Sequence, residues 1–238
     1  MATGGEKMPL HSENALVLLS GGLDSVAAMH WAIEFAHVRA LSFSYGQSNR
    51  DAELGAAQLI AQRRNVPHDI LHLGHAVRCL DTLRTPPPGL DPSGLPRANI
   101  FGRNAILLSV AAAFAARLHW TSFDLVLGAT IDDRSFPDCR SAFLSAQEVA
   151  MQAALAGVAT PRIVAPWLEF TKSGVVQWCQ SRPAALADVR DSVSCYSGTR
   201  CTKCDPCRAR ALAFLWCELD DGDHLTRSHG GDPARERR

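Results

Sequence analysis

The chain has 238 residues, 47% of them hydrophobic, and its 24 basic side chains are balanced by 24 acidic ones. That length buries one sizeable α/β core with room for a small appendage. Zero net charge provides no global field for nucleic acid or an anionic membrane, and no apolar run approaches the ~20 residues of a membrane span.

Residues 1–14, MATGGEKMPLHSEN, lack the apolar stretch of a signal peptide and read as a flexible leader to a cytoplasmic chain. Leu16-Val17-Leu18-Leu19 then reads as a strand buried on both faces, which suits a parallel sheet. Beyond Asp24, Val26, Met29, Ile33 and Ala36 recur near a period of 3.6, so a helix starts at the intervening turn. A strand over 38–46, a helix over 51–64 and a strand over 69–74 follow. The stretch 81–96 carries five prolines and reads as a lid or binding loop. A long helix over 103–118, a strand over 124–130, a helix over 141–155, an extended 162–168 and a helix over 172–180 complete the pattern. About five βα units without a sequence repeat predict a doubly wound parallel sheet. The basic end RSHGGDPARERR reads as a solvated tail.

The turn between the first strand and helix is Ser20-Gly21-Gly22-Leu23-Asp24-Ser25. It sets bare backbone N–H groups at the positive end of a helix dipole, and the glycines admit an anion close to the main chain. The alternative is a plain glycine turn capped by Asp24 or Ser20. It is not a Walker A loop, because no Gly-Lys-Ser/Thr follows.

Near the end, SCYSGTRCTKCDPCRAR holds Cys195, Cys201, Cys204 and Cys207. Three thiols at two-residue gaps curl round one centre, and Cys195 returns across a glycine-containing turn to complete a tetrahedron. This predicts one structural Zn²⁺ per chain, held by four thiolates with no open position for catalysis. A thioredoxin-like pair would sit beside a first βα unit. A ferredoxin-type cluster would need a cysteine followed by proline at 211, where Ala211 and Leu212 stand. Cys79, Cys179 and Cys217 are isolated and read as buried thiols, outside disulfides.

The glycine turn resembles the SGGxDS loop of the ATP pyrophosphatase superfamily, which cleaves ATP between the α and β phosphates. Together with YGQ (45–47), GRN (102–104), DRSFPDCR (133–140), EFTK (169–172) and the cysteine motif, it resembles the 7-cyano-7-deazaguanine synthase family over about Ala15 to Leu215. The resemblance implies an adenine nucleotide alpha hydrolase-like α/β domain over 15–190. A zinc-binding segment over 191–217 packs on it, and a flexible tail follows over 218–238. It implies an ATP-dependent ligase that converts a carboxylate to a nitrile with ammonia and two ATP. Each adenylation releases AMP and pyrophosphate. Ser20, Gly21, Gly22, Leu23, Asp24 and Ser25 would hold the pyrophosphate and Mg²⁺, with Arg103 meeting a phosphate or the substrate carboxylate and Lys172 neutralising the phosphate. Tyr45, Gln47, Arg103, Asn104, Asp138 and Arg140 would contact the deazapurine.

Three departures stand out. Ser48 and Asn49 replace the basic residue and histidine usual after YGQ, and Ile100-Phe101 precede Gly102 where valine and proline are usual. The link from Cys195 to Cys201 is short, with Thr202 in place of a glycine. The runner-up reading is a relative in antiviral defence that uses the same adenylation to modify a protein partner. A zinc-ribbon nucleic-acid module explains the cysteines alone, and no direct nucleic-acid or membrane binding is expected. A homodimer stays open.

Overall fold

The computed structural model describes residues 10–74, 100 and 102–222. The expected 81–96 loop, Cys79 and Phe101 lie outside the described residues. Five strands pair in parallel in the order β3-β2-β1-β4-β5. They are β1 (Asn14–Leu18), β2 (His37–Ser44), β3 (His68–His72), β4 (Ser122–Val126) and β5 (Thr160–Val164). The helices are α1 (Leu23–Ile33), α2 (Arg50–Arg63), α3 (Arg103–Arg117), α4 (Ser141–Ala154), α5 (Lys172–Gln180), α6 (Pro183–Asp191) and α7 (Asp205–Trp216). The winding reverses at β1, so the crevice between β1 and β4 at their carboxyl ends is the topological switch point.

The period of two along each strand sorts side chains between two cores. Ala15 and Val17 of β1 join α1, α2, α5, α6 and α7 on one face. Leu16 and Leu18 join Leu41, Phe123, Leu125 and the helices α3 and α4 on the other. Both faces are covered, which is why β1 is a continuous apolar run.

Four expectations change. The extended 162–168 ends at Val164, because Pro166 has no N–H for the ladder and Pro166–Glu169 turn instead. Trp167 is buried there, 5.7 Å from the Phe170 ring and 5.0 Å from Trp178. The 124–130 strand ends at Val126, ahead of a close backbone approach by Gly128 described below. The last residues of the leader are held: the His11 and Ser12 N–H groups donate to buried Asp124 at 2.7 and 2.9 Å. The first residues of the tail are held too, since Asp221 pairs with Arg210 at 2.7 Å.

Periodicity over 172–180 found α5 but passed over α6 and α7, whose short apolar faces are interrupted by charge. α7 gives Ala213 and Phe214 to the first core, so the cysteine segment shares the core of the sheet domain. Cys179 is buried, whereas Cys217 is half-buried, and its thiol donates to the Ser173 carbonyl at 3.3 Å.

Candidate nucleotide site and cysteine cluster

Backbone approach shapes the turn after β1. Gly21 has φ +82°, and a Cβ there would stand 2.3 Å from the Glu53 carbonyl of α2. Across the crevice a Cβ on Gly128 would lie 2.6 Å from Asp24 C and Ser25 N, so only glycine lets the end of β4 touch the start of α1. The turn also bonds to itself. The Ser20 N–H donates to Ser25 Oγ at 3.2 Å, and Ser25 Oγ donates to the Gly22 carbonyl at 2.9 Å. No side chain caps α1 among the described residues, which leaves first-turn N–H groups facing the crevice.

Lys172, the first residue of α5, pairs with Asp24 Oδ2, and both side chains are mostly buried. Its backbone N–H donates to Asp132 at 2.8 Å. Burial pushes Asp24 above the ordinary carboxylate range, Asp133 and Asp132 add to this, and Lys172 opposes it. Burial pulls Lys172 down, yet Asp24, Asp133 and Asp132 outweigh it and keep the ammonium charged. Three carboxylates around one lysine leave surplus negative charge. Asp24 Oδ1 is buried with no hydrogen-bond partner among the described residues. Such an atom calls for a cation or a donor from a ligand.

Two adjoining cavities open at this point. One, about 300 Å³, is lined by Ser20, Ser25, Leu41, Phe43, Tyr45, Gln47, Arg103, Asn104, Phe136 and Cys139 among others. The second, about 530 Å³, is lined by Leu23, Asn49, Asp132, Ser135, Lys172, Ser194, Asp205 and Pro206 among others. Gly22, Asp24, Glu53, Arg103, Asp133, Phe136 and Tyr196 line both. Volumes of this size suit small molecules.

The structure brings Ser20, Gly22, Leu23, Asp24, Ser25, Tyr45, Gln47, Arg103, Asn104 and Lys172 to these cavities, with Gly21 behind the turn. Arg103 bonds the Tyr45 hydroxyl, which burial pushes above its ordinary pKa against the pull of that guanidinium. Gln47 is already engaged. Its Oε1 accepts the Tyr45 N–H at 3.0 Å and its Nε2 donates to the Phe43 carbonyl at 2.9 Å. Its amide therefore pins the loop, and the expected bidentate pairing with a base would have to break both bonds. Asp138 is outside both linings; its carboxylate accepts the Asn104 N–H at 2.9 Å at the start of α3. Asn104 in turn donates to the Asp138 carbonyl at 3.0 Å and to Cys139 Sγ at 3.3 Å. Arg140 is exposed, outside both linings, and donates to the Arg134 carbonyl at 2.8 Å.

Sequence reasoning missed Gly128, Glu53, Phe136 and Tyr196. Tyr196 lay within the quoted cysteine motif, and Gly128 lay inside the predicted 124–130 strand, so both carried a signal. Glu53 sat on an ordinary helix and carried none.

Cys195, Cys201, Cys204 and Cys207 meet with all four sulfurs within 4.8 Å of one another. Sulfur pairs stand 4.0 Å (Cys201–Cys207) and 3.9 Å (Cys204–Cys195) apart. Four thiolates about 2.3 Å from one tetrahedral ion lie about 3.8 Å apart, so the cluster fits a single metal ion. Ser48 and Asn49 attach this segment to α2: Ser48 Oγ donates to the Tyr196 carbonyl at 2.8 Å and Asn49 Nδ2 to the Cys195 carbonyl at 3.1 Å. The Val193 N–H donates to the Gly21 carbonyl at 2.8 Å, so the segment reaches the glycine turn itself.

A glycine turn and uncapped helix start at the switch point of a parallel sheet define the nucleotide-binding class of doubly wound α/β proteins. Within that class, the model of the family described as queuosine biosynthesis protein QueC matches residues 14–217, and the chain belongs to this family. It is similar to the 7-cyano-7-deazaguanine synthase of Saccharophagus degradans, 33% identical over 89% of this chain and 97% of that one. It is also similar to the enzyme of the same name from Thiobacillus denitrificans, 35% identical over 90% and 98% of the two chains. The 7-cyano-7-deazaguanine synthase 1 of Mesorhizobium japonicum is 36% identical over 87% and 91%.

Proposed function

We propose that the chain converts 7-carboxy-7-deazaguanine and ammonia to 7-cyano-7-deazaguanine, adenylating first the acid and then the amide, with release of AMP and pyrophosphate. The observation that carries this reading is the Asp24–Lys172 pair at the glycine turn, with Asp24 Oδ1 left without a partner among the described residues. A carboxylate is a poor electrophile until its oxygen carries a good leaving group, and a pyrophosphate leaving group needs donors and positive charge where its own charge develops. Residues Ser20–Ser25 supply the donors through backbone N–H groups at the start of α1, and Lys172 supplies a fixed ammonium. Asp24 would hold Mg²⁺ that enters with ATP, and that ion would neutralise charge on the phosphates. Tyr45, Phe43 and Phe136 offer apolar walls for flat rings, with Arg103 between the cavities to meet a phosphate or the acid.

Cys195, Cys201, Cys204 and Cys207 would hold one Zn²⁺, which would tie the segment carrying Tyr196 to the cavity wall. The short sulfur–sulfur distances support one ion over a cubane cluster, whose cysteines bind separate irons and stand farther apart. The domain division at 190/191 belongs to this reading as well.

Incubation of the zinc-loaded protein with Mg-ATP, ammonia and 7-carboxy-7-deazaguanine should yield the nitrile by mass spectrometry, with AMP and pyrophosphate. ADP and inorganic phosphate as sole nucleotide products would overturn the reading. No reaction by a folded, metal-loaded chain would favour a protein acceptor.

A further inference from the structure

The cavity carboxylates are not equivalent. Asp24 is paired with Lys172, Asp132 accepts the Lys172 N–H, and Asp133 accepts the Thr130 N–H and hydroxyl at 2.9 and 2.8 Å. Glu53, in the first turn of α2, stands apart: Asp132 and Asp133 also take neutral donors but lie in the field of the Lys172 ammonium, whereas the charge acting on Glu53 is that of Arg103. Its Oε1 accepts from Asn49 Nδ2 at 2.9 Å and its Oε2 from Gln47 Nε2 at 3.4 Å, and no ion pair engages it among the described residues. Neutral amides orient a carboxylate without cancelling its charge, so Glu53 faces the cavities as an aimed anion with lone pairs to spare. Its own carbonyl packs on Gly21, which ties its position to the turn that holds the pyrophosphate, and its side chain lines both cavities.

The proposed reaction needs a nucleophile that carries no lone pair at neutral pH, where ammonia is ammonium. We propose that Glu53 binds the ammonium ion and takes a proton from it in the amide-forming step, an assignment that rests on the function proposed above. The proton passes from nitrogen to the Glu53 carboxylate. The freed lone pair attacks the carbonyl carbon of the acyl adenylate, and the carbon–oxygen bond to AMP breaks. The second proton leaves the nitrogen for the departing AMP phosphate or water as the amide forms, so the step consumes one ammonium and releases AMP and two protons, the first of them through Glu53. Burial raises the basicity of Glu53, opposed by the bonds from Asn49 and Gln47 and by the Arg103 charge, which favours it as a base.

The test uses the full zinc-loaded chain and its Glu53→Gln variant, with three readouts. ATP–pyrophosphate exchange with 7-carboxy-7-deazaguanine should be retained, because adenylation precedes ammonia. Amide formation from ammonium at pH 7 should fall about 10²-fold, the lower range for loss of a general base, and recover as pH rises towards 9. Hydroxylamine is already unprotonated at neutral pH, so hydroxamate formation should be nearly unchanged. Equal loss with hydroxylamine and ammonium would overturn the proposal and make Glu53 a reader of the substrate's N–H edge. Absence of exchange in the unsubstituted chain would overturn the function itself, a separate failure. Glu53→Asp, which keeps the charge but withdraws it, should raise the KM for ammonium while sparing the KM for the acid. An unchanged ammonium KM would count against the assignment even if the glutamine variant fails to fold.

Discussion

The glycine turn and the cysteine segment lie against each other, yet they are ordered by different means. The turn is held by its own chain: Ser25 bonds back to Ser20 and Gly22, and the backbones of α2 and β4 press on Gly21 and Gly128. The segment from Cys195 to Cys207 buries three of its four thiols among themselves, with Tyr196 the main additional apolar contact. A cluster of facing sulfurs is no substitute for a packed core, so the segment gains its order from bonds to its neighbours and, on the proposed reading, from a metal that the four cysteines would hold. Those neighbours include Ser48 and Asn49 on one side and Arg210 on the other. Arg210 is buried, and its guanidinium reaches the Val189 and Arg190 carbonyls at 2.9 and 3.0 Å as well as Asp221. A self-supporting turn therefore borrows one wall from a segment that, on the proposed reading, depends on a bound metal.

The sharpest way to break that contrast is to remove the metal. Cys204→Ser, or a strong chelator, should lower the apparent Tm by about 10 °C or more, each kcal/mol being worth about 2–4 °C in a chain of this size. Elemental analysis should show one zinc per chain before treatment and little after it. Unaltered melting with all thiols freely titratable would remove the metal from the account.

Lys172→Met should act on the other region alone. Loss of a fixed positive group from a developing oxyanion costs about 10²–10³ in kcat, and the melting temperature should change far less than in the cysteine variant. Pyrophosphate release measures the first effect and calorimetry the second. Gly21→Ala should damage both properties, since φ +82° and a 2.3 Å contact with the Glu53 carbonyl leave no place for a methyl group. A destabilisation of about 2 kcal/mol or more is expected in denaturant titration.

Asp188 supplies a comparison with pH as the variable. This fully buried carboxylate is opposed by desolvation, but His30, Arg64 and Arg63 more than compensate and depress its pKa to about 2. A depressed carboxylate contributes stability above its unfolded value near 4, and that contribution is lost as pH falls through about 2. Asp188→Asn should thus lower the Tm at pH 7 by the equivalent of at most about 2 kcal/mol. The difference from the parent chain should shrink between pH 4 and pH 2. The smallest effect on stability is expected from Asn49→Ala, about 1 kcal/mol from its lost link between α2 and the cysteine segment, with its bond to Glu53 lost as well. It should be visible as faster proteolysis of that segment with metal bound.

The sequence by itself determined the local pieces. A buried apolar run before Ser20-Gly21-Gly22 specifies a parallel strand feeding a helix start, because burial on both faces and glycine geometry are properties of consecutive residues. Cys201, Cys204 and Cys207 specify a metal loop for the same reason, since their two-residue gaps act over a few ångströms of chain. What neighbours across the fold do with a polar side chain was decided by tertiary structure. Gln47 and Asp138 read as groups for a base, and the fold spends both on backbone N–H and carbonyl groups, because a buried polar atom takes the nearest partner available. Glu53 carries no periodic or motif signal, and Gly128 only that of a glycine inside an apolar run. Their places beside the glycine turn follow from strand order β3-β2-β1-β4-β5, which brings α2 and the end of β4 to the same crevice. Ser48 and Asn49 look like losses when the chain is read in order, and the tertiary contact turns them into the hydrogen bonds that attach the cysteine segment to the site.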